Sequence, residues 1–139
     1  MRLVLLCGGF LLPLTYFAFH HQDSSTSDDA YFVRLESAVR ALQPQLEAHA
    51  TEVSSGRIRQ QSGYVTFPPP ALPSQELSVR AVTKDANENI YFVFADSTVF
   101  ANVGIVRRVV STELLGDQME PRISFTRHLF GDWWYYTAH

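Results

Sequence analysis

Apolar and polar positions recur along this chain with different periods, and each period predicts a different element. Residues 3–19 are almost wholly apolar, with Thr15 as the main polar interruption and Pro13 near the middle. A spanning helix needs roughly 17–25 apolar residues, so the run is at the short end of that range. Residues 22–28 are polar and rich in serine and aspartate. Phe32, Leu35, Val39, Leu42 and Leu46 then follow at spacings of three and four, and Val53 continues the series. Such spacing puts them on one stripe of a helix, to be buried against a sheet. Arg34, Glu36, Arg40 and Glu47 fall off the stripe and face water. Ser27 or Asp28 suits the cap, and Asp28 and Asp29 suit the positive end of the helix dipole. Pro44 removes a hydrogen bond within the series, which predicts a kink, or two helices meeting at Gln43 and Pro44. Ser54, Ser55 and Gly56 predict the end of the helix.

Beyond that point the period falls to two. Residues 63–67 are a short strand candidate, and the prolines at 68, 69, 70 and 73 make a stiff, extended connector. Leu77, Val79 and Ala81 alternate with Ser78 and Arg80, as in a half-buried strand. Residues 84–89 read as a polar turn. Residues 90–95 are apolar on both faces, which predicts an interior strand. Residues 99–110 fit a helix through Val99, Val103, Val106 and Val110, but Gly104 and the density of Val and Ile favour a strand. A polar loop over 111–121 contains Leu114 and Leu115. Residues 123–130 and 133–138 form the clearest hairpin, closed by the Gly131 and Asp132 turn.

A helix followed by strands predicts an α+β fold. The expected architecture is an N-terminal membrane segment, then a kinked helix packed on a curved antiparallel sheet of four or five strands. It looks similar to cystatin-like and NTF2-like rolls. The expected organisation is a membrane anchor or signal segment over 1–21, a polar stalk over 22–28 and an extracytoplasmic domain over 29–139. Arg2 before the apolar run and acidic chain after it predict a cytoplasmic N-terminus and a periplasmic or otherwise extracytoplasmic C-terminal domain. Signal cleavage wants small residues one and three positions before the cut, and Tyr16 is too large for a cut after Ala18. A retained anchor is therefore expected, with export after cleavage as the alternative. The order of apolar N-terminus, amphipathic helix and sheet is similar to pilins, and Gly9 with Phe10 resembles a prepilin cleavage pair. Leu14, however, stands where such proteins carry an acidic residue.

Composition narrows the chemistry. The chain of 139 residues is 46% hydrophobic and 18% charged, which suits one folded domain plus a targeting segment. A net charge of −3 argues against nucleic-acid binding. Cys7 is the only cysteine, so no internal disulfide can form. The bulky Leu6 before it argues against lipidation. His20, His21 and Asp23 are too few to close a metal site, and Glu113, Asp117 and Glu120 lack the glycine and spacing of a calcium loop. No phosphate-cradling glycine loop or nucleophile elbow occurs. No catalytic residue, metal or cofactor is expected.

The aromatic run Trp133, Trp134, Tyr135 and Tyr136 is the most unusual feature. Neighbours in a strand point to opposite faces, so the four cannot share one core layer. A regular hairpin opposes Phe130 to Trp133, His128 to Tyr135 and Leu129 to Trp134. Ile123, Phe125, Leu129 and Trp134 form the more apolar face, which predicts Trp134 inside. Phe130, Trp133, His128 and Tyr135 are then the expected exposed aromatic patch and binding site. Asp132, at the hairpin tip, is too exposed to make an acid–base site with His128 and Tyr135. These features favour a membrane-tethered binding domain, an accessory subunit of a larger membrane complex, over an enzyme. Its expected partners are another protein, membrane-associated, and the membrane itself through residues 3–19. The alternative is a periplasmic inhibitor or immunity protein that blocks a toxic enzyme.

Overall fold

The computed structural model describes residues 13–61, 66–97, 101–109, 114 and 122–139, with side chains from residue 28 onward. Two compact units divide the chain, Met1–Val33 and Arg34–His139. One helix, α1 (Pro13–Ser54), begins in the first and ends in the second. Its span corrects two expectations. Residues 22–28 are helical, so the helix does not start at a cap on Ser27 or Asp28. Neither proline nor glycine stands between Pro13 and Pro44, so nothing in that stretch breaks the helix. Pro44 lies exposed inside the same helix, so no second helix starts there. Gly56, with φ 74°, follows the helix end near its expected place. In the first unit Phe32 is half-buried and stacks edge-on with Tyr31, while Val33 is 65% exposed.

In the second unit the stripe is buried as expected at Leu35, Val39, Leu42, Leu46 and Val53, and Ala50 is buried with it. Five strands follow: β1 (Val79–Lys84), β2 (Ile90–Phe94), β3 (Asn102–Arg107), β4 (Ile123–Phe130) and β5 (Trp133–Ala138). All pair antiparallel, in the order β1-β2-β3-β5-β4. The fold is thus α+β, a helix with a five-stranded antiparallel sheet. β2 is buried along its whole length, as its unbroken apolar run predicts. The ambiguous stretch around Val103 is a strand. A Cβ at Gly104 would lie 2.1 Å from the Phe92 carbonyl oxygen, so only glycine fits that close approach. Of the 63–67 candidate, residues 63–65 lie outside the described residues, while Phe67 makes an isolated bridge to Val82 on the outer side of β1.

Register sorts the strand residues onto two faces. Phe92, Ile105, Tyr135 and Arg127 lie abreast on one, with Trp133 and Phe130 beside them. This is the helix side, because Phe92 and Trp133 touch each other and helix residues reach both. On the reverse side Tyr91, Val106, Tyr136 and Ala138 form a second buried cluster. β3 and β4, joined by a connection over residues 108–122, are parallel and separated by β5. Leu114, within that connection, packs on the reverse cluster together with Ile123 and Trp134.

Candidate functional site

The helix side is closed by polar contacts as well as apolar ones. Glu47 lies off the apolar stripe but faces the sheet at its rim. Its carboxylate accepts a hydrogen bond from Trp133 Nε1 at 3.1 Å and ion-pairs with Arg107 at 2.6 Å. The Arg107 Nε–H is not directed along that short contact, which makes it a charge pairing more than a hydrogen bond. Two turns back, Arg40 sits over the Phe130 ring at 4.1 Å and ion-pairs with Glu36. His49 packs on Phe92 and donates from Nε2 to the Pro68 carbonyl at 3.0 Å, tying the proline connector to the helix. Burial pushes the His49 pKa below its ordinary value, against the opposing pull of the Pro68 carbonyl and the Glu52 charge.

These contacts overturn the expected exposure of the aromatic patch. Trp133 is 1% exposed, and Phe130 and Tyr135 are also buried; only His128 of the four is exposed. Trp134, expected inside, is half-buried on the reverse side. Phe125, placed on the same inner face, is 48% exposed. The physical reason is that the helix covers the Trp133 and Tyr135 face of β5, while a bulge in β4 turns His128 away from that face. Pairing slips between His128 and Phe130, so Leu129 has no opposite residue and His128 faces Trp134, not Tyr135. One extra residue moves Phe125 through His128 to the opposite faces, and the second bulge, between Ile123 and Phe125, returns Ile123 to the reverse side. His128 and Tyr135 therefore lie on opposite sides of the sheet and cannot act together as an acid–base pair. His128 instead stacks on Trp134 at 4.8 Å and donates to the Gly131 carbonyl, with Arg108 at 5.6 Å from the same indole.

The predicted polar turn after β1 is a buried network. Asp85 is 5% exposed and its carboxylate accepts four hydrogen bonds, from the Asn87 and Asn89 amides, Asn89 Nδ2 and the Tyr91 hydroxyl. Asn89 Oδ1 in turn accepts from the Val109 amide at 2.8 Å. Every named polar atom has a partner, which suits a structural latch between the β1–β2 turn and the end of β3. Among the described residues no group of three histidine, cysteine, aspartate or glutamate side chains could hold a metal ion. The side chains of His20, His21, Asp23, Glu113, Asp117 and Glu120 lie outside the described residues.

Among the described residues, β4 is the strand left open to a partner. Residues 124–128 are exposed on both faces, and among the described residues no second strand pairs with β4 on its outer side. Two bulges flank a regular run from Phe125 to His128. Ser124 anchors the first bulge by hydrogen bonds to the Thr137 carbonyl and hydroxyl. Phe125 leans edge-on against Tyr135, with ring centres 6.1 Å apart, and keeps its other side in solvent. Chain-edge pairing and an exposed aromatic ring are what this surface offers chemically. The sequence signal for it was weak: Ser, Thr, Arg and His alternate with apolar residues as readily in a covered strand. No protein-family model, curated protein or solved structure matches the chain.

Proposed function

We propose that this chain is a membrane-tethered extracytoplasmic binding domain, an accessory subunit of a larger membrane complex that engages a protein partner through β4. The observation that carries the reading is the open eight-residue edge strand, with Phe125 48% exposed, in a chain that also holds the apolar run 3–19. Arg2 ahead of that run supports a cytoplasmic N-terminus. Binding rather than catalysis is supported by where the polar groups go: Asp85, Glu47 and His49 are all engaged in holding the fold. The finer likeness to a cystatin-like or NTF2-like roll, and a bend of α1 at Pro44, belong to the same proposal.

The test is affinity purification of the full-length protein from membranes, wild type beside a Phe125→Ser, Arg127→Ser double variant. The wild type should stay with the membrane through an alkaline wash and retain a partner that the variant loses. A protein released by the wash, or a partner set unchanged by the variant, overturns the proposal. Capture of a soluble enzyme by the washed-off protein would favour the inhibitor reading in its place.

A further inference from the structure

Resting on the reading of β4 as the partner-binding edge, we infer that the partner docks there by backbone pairing. It adds a short extended segment of its own to the sheet as a sixth strand, apolar opposite Phe125 and acidic beside Arg122. The chain treats its two sheet edges differently. At the β1 edge it pairs with itself: the Phe67 N–H donates to the Val82 carbonyl at 2.7 Å, and the Val82 N–H to the Phe67 carbonyl at 3.2 Å. No described segment does the same at β4, whose residues 124–128 are exposed.

The ladder fixes which backbone groups β4 presents. In an antiparallel pair, bonded and non-bonded residue pairs alternate. The Arg108 N–H donates to the Asp132 carbonyl at 2.8 Å, which makes Arg107 and Trp133 a non-bonded pair of β3 and β5. Trp134 and Tyr136 therefore bond to β3, and Tyr135 and Thr137 to β4. The His139 N–H, donating to the Arg122 carbonyl at 3.0 Å, keeps the same alternation. Opposite Thr137 and Tyr135, Phe125 and Arg127 direct their backbone groups at β5. Thr126, between them, directs its N–H and C=O outward, and the His128 N–H follows. These groups lie between the two bulges, which leaves room for one short strand.

Side chains alone offer a partner less. Phe125 is the large apolar side chain of β4 that lies open, while Leu129 and Phe130 are buried. His128 stacks on Trp134, and Arg127 is already engaged within the chain. Backbone pairing therefore supplies the affinity, and side chains supply the selection. Phe125 takes a non-bonded position in the new pair, where opposing side chains come closest, so an apolar residue fits there. Arg122 is exposed at the head of β4, and no carboxylate occurs from Arg122 to Gly131. A carboxylate at the matching end of the segment is attracted, and a lysine or arginine is repelled. The bulges stop pairing after a few residues and so prevent extension into larger aggregates.

The test uses the complex purified from membranes through the full-length chain. Residue-resolved hydrogen exchange should show the Phe125 and Arg127 amides protected with and without the partner, since both bond to β5. The Thr126 and His128 amides should slow at least about tenfold, and only in the complex. Thr126→Pro removes an outward N–H where an edge strand tolerates proline, and should cut partner retention at least about tenfold. Thr126→Ala keeps the backbone and should stay within about threefold of wild type. Should Thr126→Pro melt well below Thr126→Ala, hydrogen exchange alone decides. Arg122→Glu should weaken retention about threefold or more at low salt, and Arg122→Lys should not. Thr126 and His128 amides that exchange alike with and without the partner, equal retention by Thr126→Pro and Thr126→Ala, or retention unmoved by Arg122→Glu overturns the inference. If the Phe125→Ser, Arg127→Ser variant still loses the partner, any of these results leaves the proposed function standing and removes only the strand pairing.

Discussion

Replacing the two adjacent tryptophans separately should give very different results. Trp133 is 1% exposed, packs on Phe92 with ring centres 5.7 Å apart and donates to Glu47 at 3.1 Å. Truncation to alanine removes the largest side chain beneath the helix and leaves a cavity, which costs about 3–5 kcal/mol. It also strips a hydrogen bond from a half-buried carboxylate, an effect that overlaps with the first and is not added to it. A domain of this size is stable by roughly 5–15 kcal/mol, so Trp133→Ala should leave it close to unfolding. Trp134 is half-buried on the reverse side, with His128 and Arg108 against its ring. Its truncation should cost about 1–2 kcal/mol. Urea melts followed by far-ultraviolet circular dichroism measure both. Fluorescence supplies an independent readout, because each variant keeps one indole. Trp134→Ala should retain a blue-shifted emission that acrylamide quenches poorly. Equal losses of stability, or ready quenching of the remaining Trp133, would refute the placement of the helix over the Trp133 face.

Three further perturbations probe other parts of the fold. Gly104→Ala drives a methyl group to 2.1 Å from the Phe92 carbonyl and 3.1 Å from the Tyr136 ring, so β2 and β3 must spread. A loss of about 1–3 kcal/mol or more is expected in a urea melt. Asp85→Ala takes the acceptor from four donors, three of them buried, and should cost at least about 3 kcal/mol, read as a fall in thermal midpoint. His49 supplies a pH test. Its folded pKa lies below the ordinary 6.5, so below that pH the unfolded chain binds the proton more readily than the folded one. Its contribution is therefore complete above about pH 6.5 and is lost as the pH falls through the folded pKa. Urea midpoints at pH 7.5 and 5.5, on scales of about one unit either side of 6.5, should differ less in His49→Gln than in the wild type.

Local chemistry decided much of this protein. Spacings of three and four placed Leu35 through Val53 on one buried stripe, because a helix repeats every 3.6 residues. The unbroken apolar run of β2 marked an interior strand, since both its faces are covered. The hairpin from Ile123 to Ala138 was legible to its ends from Gly131 and Asp132. Two features lay beyond the pattern. The bulge after His128 carries no glycine or proline at Leu129, and it reversed the faces of Arg127 and His128 relative to a regular ladder. With aromatic rings on both faces of β5, hydrophobicity could not tell which face the helix would cover. That was decided by contacts far apart in sequence, Glu47 with Trp133 and Arg107, and His49 with Pro68 and Phe92. The candidate surface on β4 was hidden for the same reason. A strand's exposure depends on which neighbours pair with it and cover it, and the order β3-β5-β4 follows from long-range pairing, not from the residues of β4 themselves.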